Sequence, residues 1–584
     1  MRSAVEAVGG ERRTTRAVLA TLAAYAAAVV WLTWPLAANL GTHLPRTIFI
    51  CDFDLRQMVW ALSWQTHVLT TEPWRFFEAN IYHPTPHALL YADAGFGALP
   101  YFAPTFLLTG NPALASNVMF LGSIALTAWG LHLVVARWTG LVSAGVVAAG
   151  TLLATRWVLW TWVPAAPNYG VLQALPAIIY LAAARERSPV RTVLLTALVV
   201  LQGLTTPYYA GAVLAPLGVL AGLRLVSPRG RRSGAGLVAV VGVAAACLCV
   251  IYAPYAWIRV LEPNLRYQTW WGFVRETTMS LPWGLVMSPV RPTGIPFTIL
   301  LLIPIGTLAR CLPRAGRSEG ERTAWRHGFL WAIVGSVLSL TPMIRIGSDV
   351  YRLPHADLID RFPGLDLLRD PHRLGVAALF GLAILAGAAF TECMRWADRL
   401  VSARDARGLH GLAAGAIVVL SAGILWAPMA LRVTSWPPEY PIMPATMPQT
   451  TIMEVLRKPG GALLEVPTDP DGPFAQQLAG QGLAVFESIG HRRPILNGYG
   501  GFFPAAFVER MRLAARLPDA EALAELHRDT GLELVLVRGS LPGIRRLDRW
   551  EALARAGGGD GLRFVTRDGA DLLFAVDGRG GTAQ

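Results

Sequence analysis

The chain has 584 residues, 53% of them apolar and only 15% charged, with a net charge of +13 and a mean hydropathy of +0.43. Soluble proteins carry about 25% charged residues, so the polar surface is missing for the roughly three or four soluble domains that this length would suggest. The 20 tryptophans and 41 prolines exclude a disordered chain, a coiled coil and a collagen-like repeat, which leaves a polytopic membrane protein.

A crossing needs roughly 20 mostly apolar helical residues. Eleven segments meet that need: 17–38, 112–136, 140–158, 170–184, 190–206, 208–224, 235–257, 294–310, 327–344, 374–393 and 409–431. The first is too long for the apolar region of a signal peptide, and ten further spans follow it, so it reads as a retained anchor. The stretch 95–108 is short and broken by proline, and reads as an interfacial or re-entrant helix.

The positive charge follows these spans. Arg2, Arg12, Arg13 and Arg16 precede the first, and every second connection is basic: Arg137; Arg185, Arg187 and Arg191; Arg224, Arg229, Arg231 and Arg232; Arg310 to Arg326; and Arg395 to Arg407. Arginines beside spans mark the cytoplasmic side. The N-terminus is therefore expected inside and the C-terminal region outside, and the charge calls for no nucleic-acid partner. Lys458 is the sole lysine, so no Walker A loop exists, and H-E-x-x-H, paired CxxC and GxGxxG motifs are absent too. The cysteines Cys51, Cys247, Cys249, Cys311 and Cys393 suggest neither a disulfide framework nor a zinc site.

Chemistry is expected on the outer face. The first outer loop, 41–111, far exceeds an ordinary connection, and two more cover 259–293 and 345–373. A Pro-rich linker, 432–450, leads to 451–584, a small α/β domain. There GALLEVP, LAVFESI, LELVLVR, LRFVTR and DLLFAVD read as strands, and 504–516, 518–530 and 547–556 as helices.

Two outer segments carry the candidate residues. The first loop opens with Cys51-Asp52-Phe53-Asp54, whose carboxylates would face one cavity if the stretch were extended and there bind a cation or supply a general base. The plain alternative is a solvated turn. His67, Glu72, His83, His87 and Asp93 follow without metal-ligand spacing. The second segment, Phe362 to Arg373, places Arg369, His372 and Arg373 where topology calls for no arginine. Their forked donors suit phosphate oxygens, and Pro371 predicts a break before the next span. The alternative is a pair of snorkelling arginines.

Together these residues resemble a known family. The run Asp52…Trp60…Trp64…His67, Pro73, Asn80-Ile81-Tyr82-His83-Pro84-Thr85-Pro86 and Leu89-Leu90-Tyr91-Ala92-Asp93 resembles the first outer loop of bacterial multi-span proteins similar to GT-C glycosyltransferases, among them the enzymes that glycosylate lipoteichoic acid. Pro363-Gly364…Leu368-Arg369-Asp370-Pro371-His372-Arg373 and Ser488…His491-Arg492-Arg493-Pro494…Asn497-Gly498-Tyr499-Gly500-Gly501 resemble later parts of that family. The resemblance implies a GT-C-like fold: an α-helical polytopic membrane domain over 1–431 with about 11 transmembrane helices, followed by the extracytoplasmic α/β domain. It implies inverting transfer of a sugar from a polyprenyl-phosphate donor to a cell-envelope glycan, lipid or polymer acceptor. Asp52 matches the family's acidic position and is the implied base. Asp54 stands where the family more often has an apolar residue, and Asp93 matches a second polar position. Arg369 and Arg373 are the implied phosphate clamp, with Arg275 and His372 as weaker members, while Asn497 and Tyr499 are candidates for the acceptor. A divalent cation, Mg or Mn, is left open, since GT-C families differ.

Two other classes compete. A transporter or flippase of lipid-linked sugars would show charges or broken helices at mid-span, whereas the one interruption, Thr205-Thr206-Pro207-Tyr208-Tyr209, falls at a hairpin turn. A non-catalytic scaffold would use its outer domain to bind glycans, with Asn497-Gly498 as a tight turn.

Overall fold

The computed structural model describes residues 2–46, 52–92, 94–160, 162–186, 188–262, 297–311, 316–340, 343–346, 349–352, 371–402, 439–468, 474–544 and 546–577. Asp93, Arg275, Arg369 and the expected span 409–431 lie outside the described residues. The chain divides into two compact units. One comprises residues 1–40, 117–251 and 274–442; the other comprises 41–116, 252–273 and 443–584.

The first unit is helical. Each of the first ten expected spans holds an α-helix. They are α1 (Arg2–Leu32); then, after α2 (Asp52–Thr71) and α3 (Leu99–Thr109) of the other unit, α4 (Pro112–Thr139) and α5 (Val142–Leu153). A short α6 (Arg156–Leu159) precedes α7 (Ala174–Ala183), α8 (Pro189–Gly203), α9 (Pro207–Val226) and α10 (Arg231–Leu261). The series closes with α11 (Phe297–Cys311), α12 (Glu319–Leu338) and α13 (Val376–Ser402). Among the described residues, four stretches, Pro112–Thr139, Pro207–Val226, Arg231–Ile258 and His372–Trp396, are long and apolar enough by themselves to cross a membrane. Val18–Leu32, Val142–Leu153, Pro189–Gly203 and Leu302–Cys311 are shorter apolar helices.

Local chemistry sets the ends. α12 begins eight residues before the expected span because Ser318 and Glu321 form a reciprocal capping box that satisfies the first free backbone N–H groups. α8 stops at Gly203 and α9 starts at Pro207, whose missing N–H costs nothing at a first helical turn. Thr205 and Thr206 thus lie in a turn between two helices. Close helix packing then depends on residues without side chains. A Cβ on Gly335 would stand 2.1 Å from the Ala378 nitrogen, and one on Gly381 2.1 Å from the Ala332 nitrogen, so α12 and α13 touch backbone to backbone. Small residues are what permit such contact where lipid supplies no hydrophobic drive between helices.

The second unit contains a five-stranded sheet of order β5-β6-β9-β8-β7: β5 (Ala462–Val466), β6 (Leu532–Val537), β7 (Gly558–Gly559), β8 (Leu562–Asp568) and β9 (Asp571–Val576). Three- and four-residue strands elsewhere, β1 (His43–Pro45), β2 (Met343–Ile346), β3 (Asp349–Arg352) and β4 (Ile442–Pro444), form two small ladders. β5 and β6 are parallel, the other pairs of the large sheet antiparallel. All five residues of β5 are buried, the pattern of a strand covered on both faces. The helices are α14 (Thr451–Leu456), α15 (Phe474–His491), α16 (Ala505–Ala514), α17 (Ala520–Thr530) and α18 (Leu547–Arg555).

Two expectations are corrected here. LAVFESI is not a strand but the second half of α15, where Leu478, Gln481, Val485, Ser488 and His491 are buried at helical spacing. The segment from Asp52 is likewise a helix, α2, rather than extended backbone. Successive helical residues turn by about 100°, so Asp52 and Asp54 diverge instead of facing one cavity.

The second unit also joins the motifs that carried the resemblance. The Tyr82 N–H donates to the Asn497 carbonyl at 2.9 Å, the His83 N–H to that of Ile495 at 3.0 Å, and the Ile495 N–H to that of Asn80 at 2.7 Å. Tyr82 is fully buried, and a Cβ on Gly498 would overlap its ring at 2.2 Å. Only glycine allows that approach.

Candidate active site

Asp52 and Asp54 occupy the first turn of α2, where unpaired backbone N–H groups favour negative charge. The helix is fixed by Phe53, whose backbone and Cβ lie so close to Gly482 of α15 that a Cβ there would come within 2.7 Å. Asp52 is half-buried. One oxygen pairs with the Arg46 guanidinium at 3.5 Å, and the other, Oδ1, is buried with no hydrogen-bond partner among the described residues. Arg56 stands one helical turn further on. Burial holds the Asp52 carboxyl above its ordinary value, with Arg46 and Arg56 pulling the other way. A half-desolvated, more basic carboxylate with one oxygen anchored and one unengaged suits proton abstraction from a hydroxyl.

Asp54 has a different environment. The Tyr499 hydroxyl donates a short hydrogen bond to it, and the Tyr499 ring meets Phe53 edge-on at 5.2 Å. Two of the predicted site residues, Asp54 and Tyr499, are thus brought together. Asn497 lies nearby in sequence but is used differently. Its amide oxygen accepts from the Glu465 N–H at 2.7 Å, and its NH2 donates to the Glu465 carbonyl at 2.9 Å, so it pairs with β5 as another strand would.

Beyond Arg56 the charges continue inward. Arg56 and Glu487 of α15 attract one another, and Glu487 is ion-paired with Arg538, which also holds Glu465 at 2.8 Å and Asp571 at 3.4 Å. Burial pushes the Glu487 carboxyl up while Arg538 pulls it down. Two histidines of the first loop have polar partners: His87 Nδ1 lies 2.9 Å from Glu78, and His83 donates to the Thr530 carbonyl at 3.2 Å. Among the described residues, no three His, Cys, Asp or Glu side chains meet in a way that could hold a metal ion.

In the helical unit, Pro371–Gly375 form a 3-10 turn ahead of α13, the break that Pro371 predicts. His372 and Arg373 are both buried there. The Arg373 guanidinium lies 4.0 Å from the Trp162 ring centre, 5.0 Å from that of Tyr208 and 5.4 Å from that of Tyr169, and donates to the Tyr169 hydroxyl at 2.9 Å. Each such cation–ring contact is worth about 0.5–2 kcal/mol and helps to offset the burial of the charge. Tyr169 is held in turn by Thr206, at 3.2 Å, while Tyr209 donates to its carbonyl at 2.6 Å.

Sequence reasoning missed Arg46, Arg56, Glu487 and the cage of Trp162, Tyr169 and Tyr208. The Asp52–Arg56 spacing of four would have exposed the second of these had the helix been read. The cage gathers residues from three separate stretches, 162–169, 208 and 373, and leaves no local signal.

The whole chain can now be compared with known proteins. No family model matches the sequence, and no curated protein does. Among solved structures, the fold resembles the cryo-EM structure of the arabinofuranosyltransferase AftD from mycobacteria, with a TM-score of 0.54 at 16% identity over 95% of this chain and 40% of that one. The chain thus shares a fold with that arabinofuranosyltransferase. It spans two-fifths of the length of AftD. The crystal structure of ArnT from Cupriavidus metallidurans also aligns, over 97% of this chain at 14% identity, with a TM-score of 0.39.

Proposed function

We propose that this GT-C-like membrane protein is an inverting glycosyltransferase that moves a sugar from a polyprenyl-phosphate donor to a hydroxyl of an extracytoplasmic glycan, lipid or polymer. The observation that carries the reading is Asp52: a carboxylate made more basic by burial, anchored to Arg46 by one oxygen, with the other buried and unengaged. In this reading Asp52 takes the proton of the acceptor hydroxyl as that oxygen attacks the anomeric carbon from the side opposite the phosphate. The bond from that carbon to the phosphate oxygen breaks, and polyprenyl phosphate departs with the electron pair. A phosphate is already a good leaving group, so one base and a cationic partner for the departing charge suffice. Arg373 and His372, which belong to the expected phosphate clamp, are proposed for that partner on residue type. The Asp54–Tyr499 pair is assigned to positioning α2. No described ligand set fits Mg or Mn, and no step is routed through a metal.

In this reading the N-terminus is cytoplasmic and the residues from about 440 onward lie outside, an orientation that the arginine-rich connections support. The experiment reconstitutes the full chain in proteoliposomes and supplies polyprenyl-phosphate pentoses and hexoses, an arabinofuranosyl donor among them, with cell-envelope glycan fragments as acceptors. Asp52→Asn should lower transfer by about 10²- to 10⁴-fold. A wild-type protein inert with every donor would instead favour the scaffold reading.

A further inference from the structure

The helical unit holds a second feature that sugar transfer does not use. A cavity of about 1260 Å³ opens among α7, α8, α9 and α12. Five arginines line it, Arg185, Arg191, Arg224, Arg229 and Arg326, against two carboxylates, Glu186 and Glu319.

These arginines are not equivalent. Arg224 is buried and donates to the carbonyls of Ala182, Ala183 and Ala184 at 2.9, 2.9 and 3.3 Å, which closes the end of α7. Arg326 pairs with Glu319 at 3.4 Å. Arg185 interacts with Glu319 at longer range, and neither Arg191 nor Arg229 forms an ion pair with a carboxylate among the described residues, so the five arginines against two carboxylates keep a positive surplus that an anion would relieve. His327 supplies an independent sign of a ligand. It lines the cavity at 5% exposure beside the Trp138 ring, and its Nδ1 is buried without a hydrogen-bond partner among the described residues. A buried polar atom left unpaired is costly unless something meets it. The remaining wall is apolar and open: Val219, Leu223 and Ile333 are 43%, 62% and 60% exposed.

We infer that this cavity holds the phosphate headgroup of an anionic membrane phospholipid, with an acyl chain along Val219, Leu223 and Ile333. A soluble anion would use the arginines but gain nothing from that wall. Basic pockets between helices, with an apolar side facing the bilayer, are built for such headgroups.

The test is thermal unfolding of the full-length protein in a neutral detergent. Four additions are compared: phosphatidylglycerol, phosphatidylcholine, inorganic phosphate and glycerol 3-phosphate. Phosphatidylglycerol should raise Tm by several degrees, well beyond the other three. Combined Arg185→Gln, Arg191→Gln and Arg229→Gln should weaken it about tenfold or more. Leu223→Ser with Ile333→Ser should reduce the phosphatidylglycerol shift and leave any phosphate shift unchanged. The control Arg549→Gln, Arg563→Gln and Arg567→Gln removes the same charge from exposed positions elsewhere and should keep the shift. Equal shifts from the two lipids, or a full shift in the first triple variant, would overturn the site. A full shift from inorganic phosphate alone would overturn the lipid assignment. If the triple variant fails to fold, Arg229→Gln alone serves, with a partial loss expected and an unchanged shift contradicting the site.

Discussion

The Asp52 carboxyl decides both a pH dependence of activity and one of stability. Unfolded, it titrates near 3.9; folded, burial holds it higher despite Arg46 and Arg56. The folded state therefore binds this proton more tightly than the unfolded one. Its contribution to stability is fully present below the unfolded value and is lost as pH rises through the folded value. Asp52→Asn should accordingly raise the unfolding temperature at pH 7 and give no gain near pH 3.5, as scanning fluorimetry at the two pH values would show. The proposed transfer, in contrast, would require the ionised form, so its acid limb should lie above the ordinary carboxylate range in a rate–pH profile. Tyr499→Phe removes the hydroxyl that binds Asp54 inside a largely buried contact. A cost of about 1–3 kcal/mol is expected in denaturant unfolding, with the loss of transfer smaller than in Asp52→Asn. Equal losses in the two variants would move the chemistry toward Asp54. Much of this neighbourhood was legible in the sequence: the acidic opening of the loop and the Asn497–Tyr499 segment stand out as residue types. Which carboxylate has the unengaged oxygen was not, because that depends on Arg46, on burial and on a tyrosine 445 positions away.

At the scale of elements, apolar length located the helices and missed how they touch. Gly335 and Gly381 read as ordinary small residues in apolar runs, yet each lies against backbone of the facing helix. Gly335→Ala should cost about 1–3 kcal/mol in reversible unfolding, as overpacking does, whereas Gly242→Ala, with nothing within 4 Å of its Cβ, should leave stability unchanged or improved. Likewise α2 and α15 escaped the sequence reading for one reason. Their apolar residues are diluted by buried polar ones such as Gln57, Gln65, Gln481 and Ser488, so neither gives a clear stripe. Gln65 donates to the Ala94 carbonyl at 2.6 Å, and the Gly498 N–H donates to Gln481 at 3.0 Å, so these side chains hold loops in place. Asn497 is the strongest such case. Asn497→Ala should cost about 2–4 kcal/mol, since it removes two bonds to the backbone of β5 and leaves both groups buried.

At the scale of the molecule, linear order hid which segments fold together. A boundary placed near residue 431 separates the first long loop from the C-terminal sheet, but 41–116 and 443–584 share one compact unit and one core. Tyr82 and Tyr91 fill the space that Gly498 and Gly500 leave open. Residues 443–584 expressed alone should therefore exchange amide protons far faster than in the full chain, with slow exchange in the isolated segment opposing this division. The account as a whole rests on Asp52 as the base of a sugar transferase. The most direct measurement is the initial rate of sugar transfer from polyprenyl-phosphate donors in proteoliposomes, wild type against Asp52→Asn at pH 7, with unfolding temperature recorded on the same samples. A loss of at least about a hundredfold in rate, with no loss of thermal stability, is the expected result; a variant that transfers sugar at the wild-type rate would contradict the account.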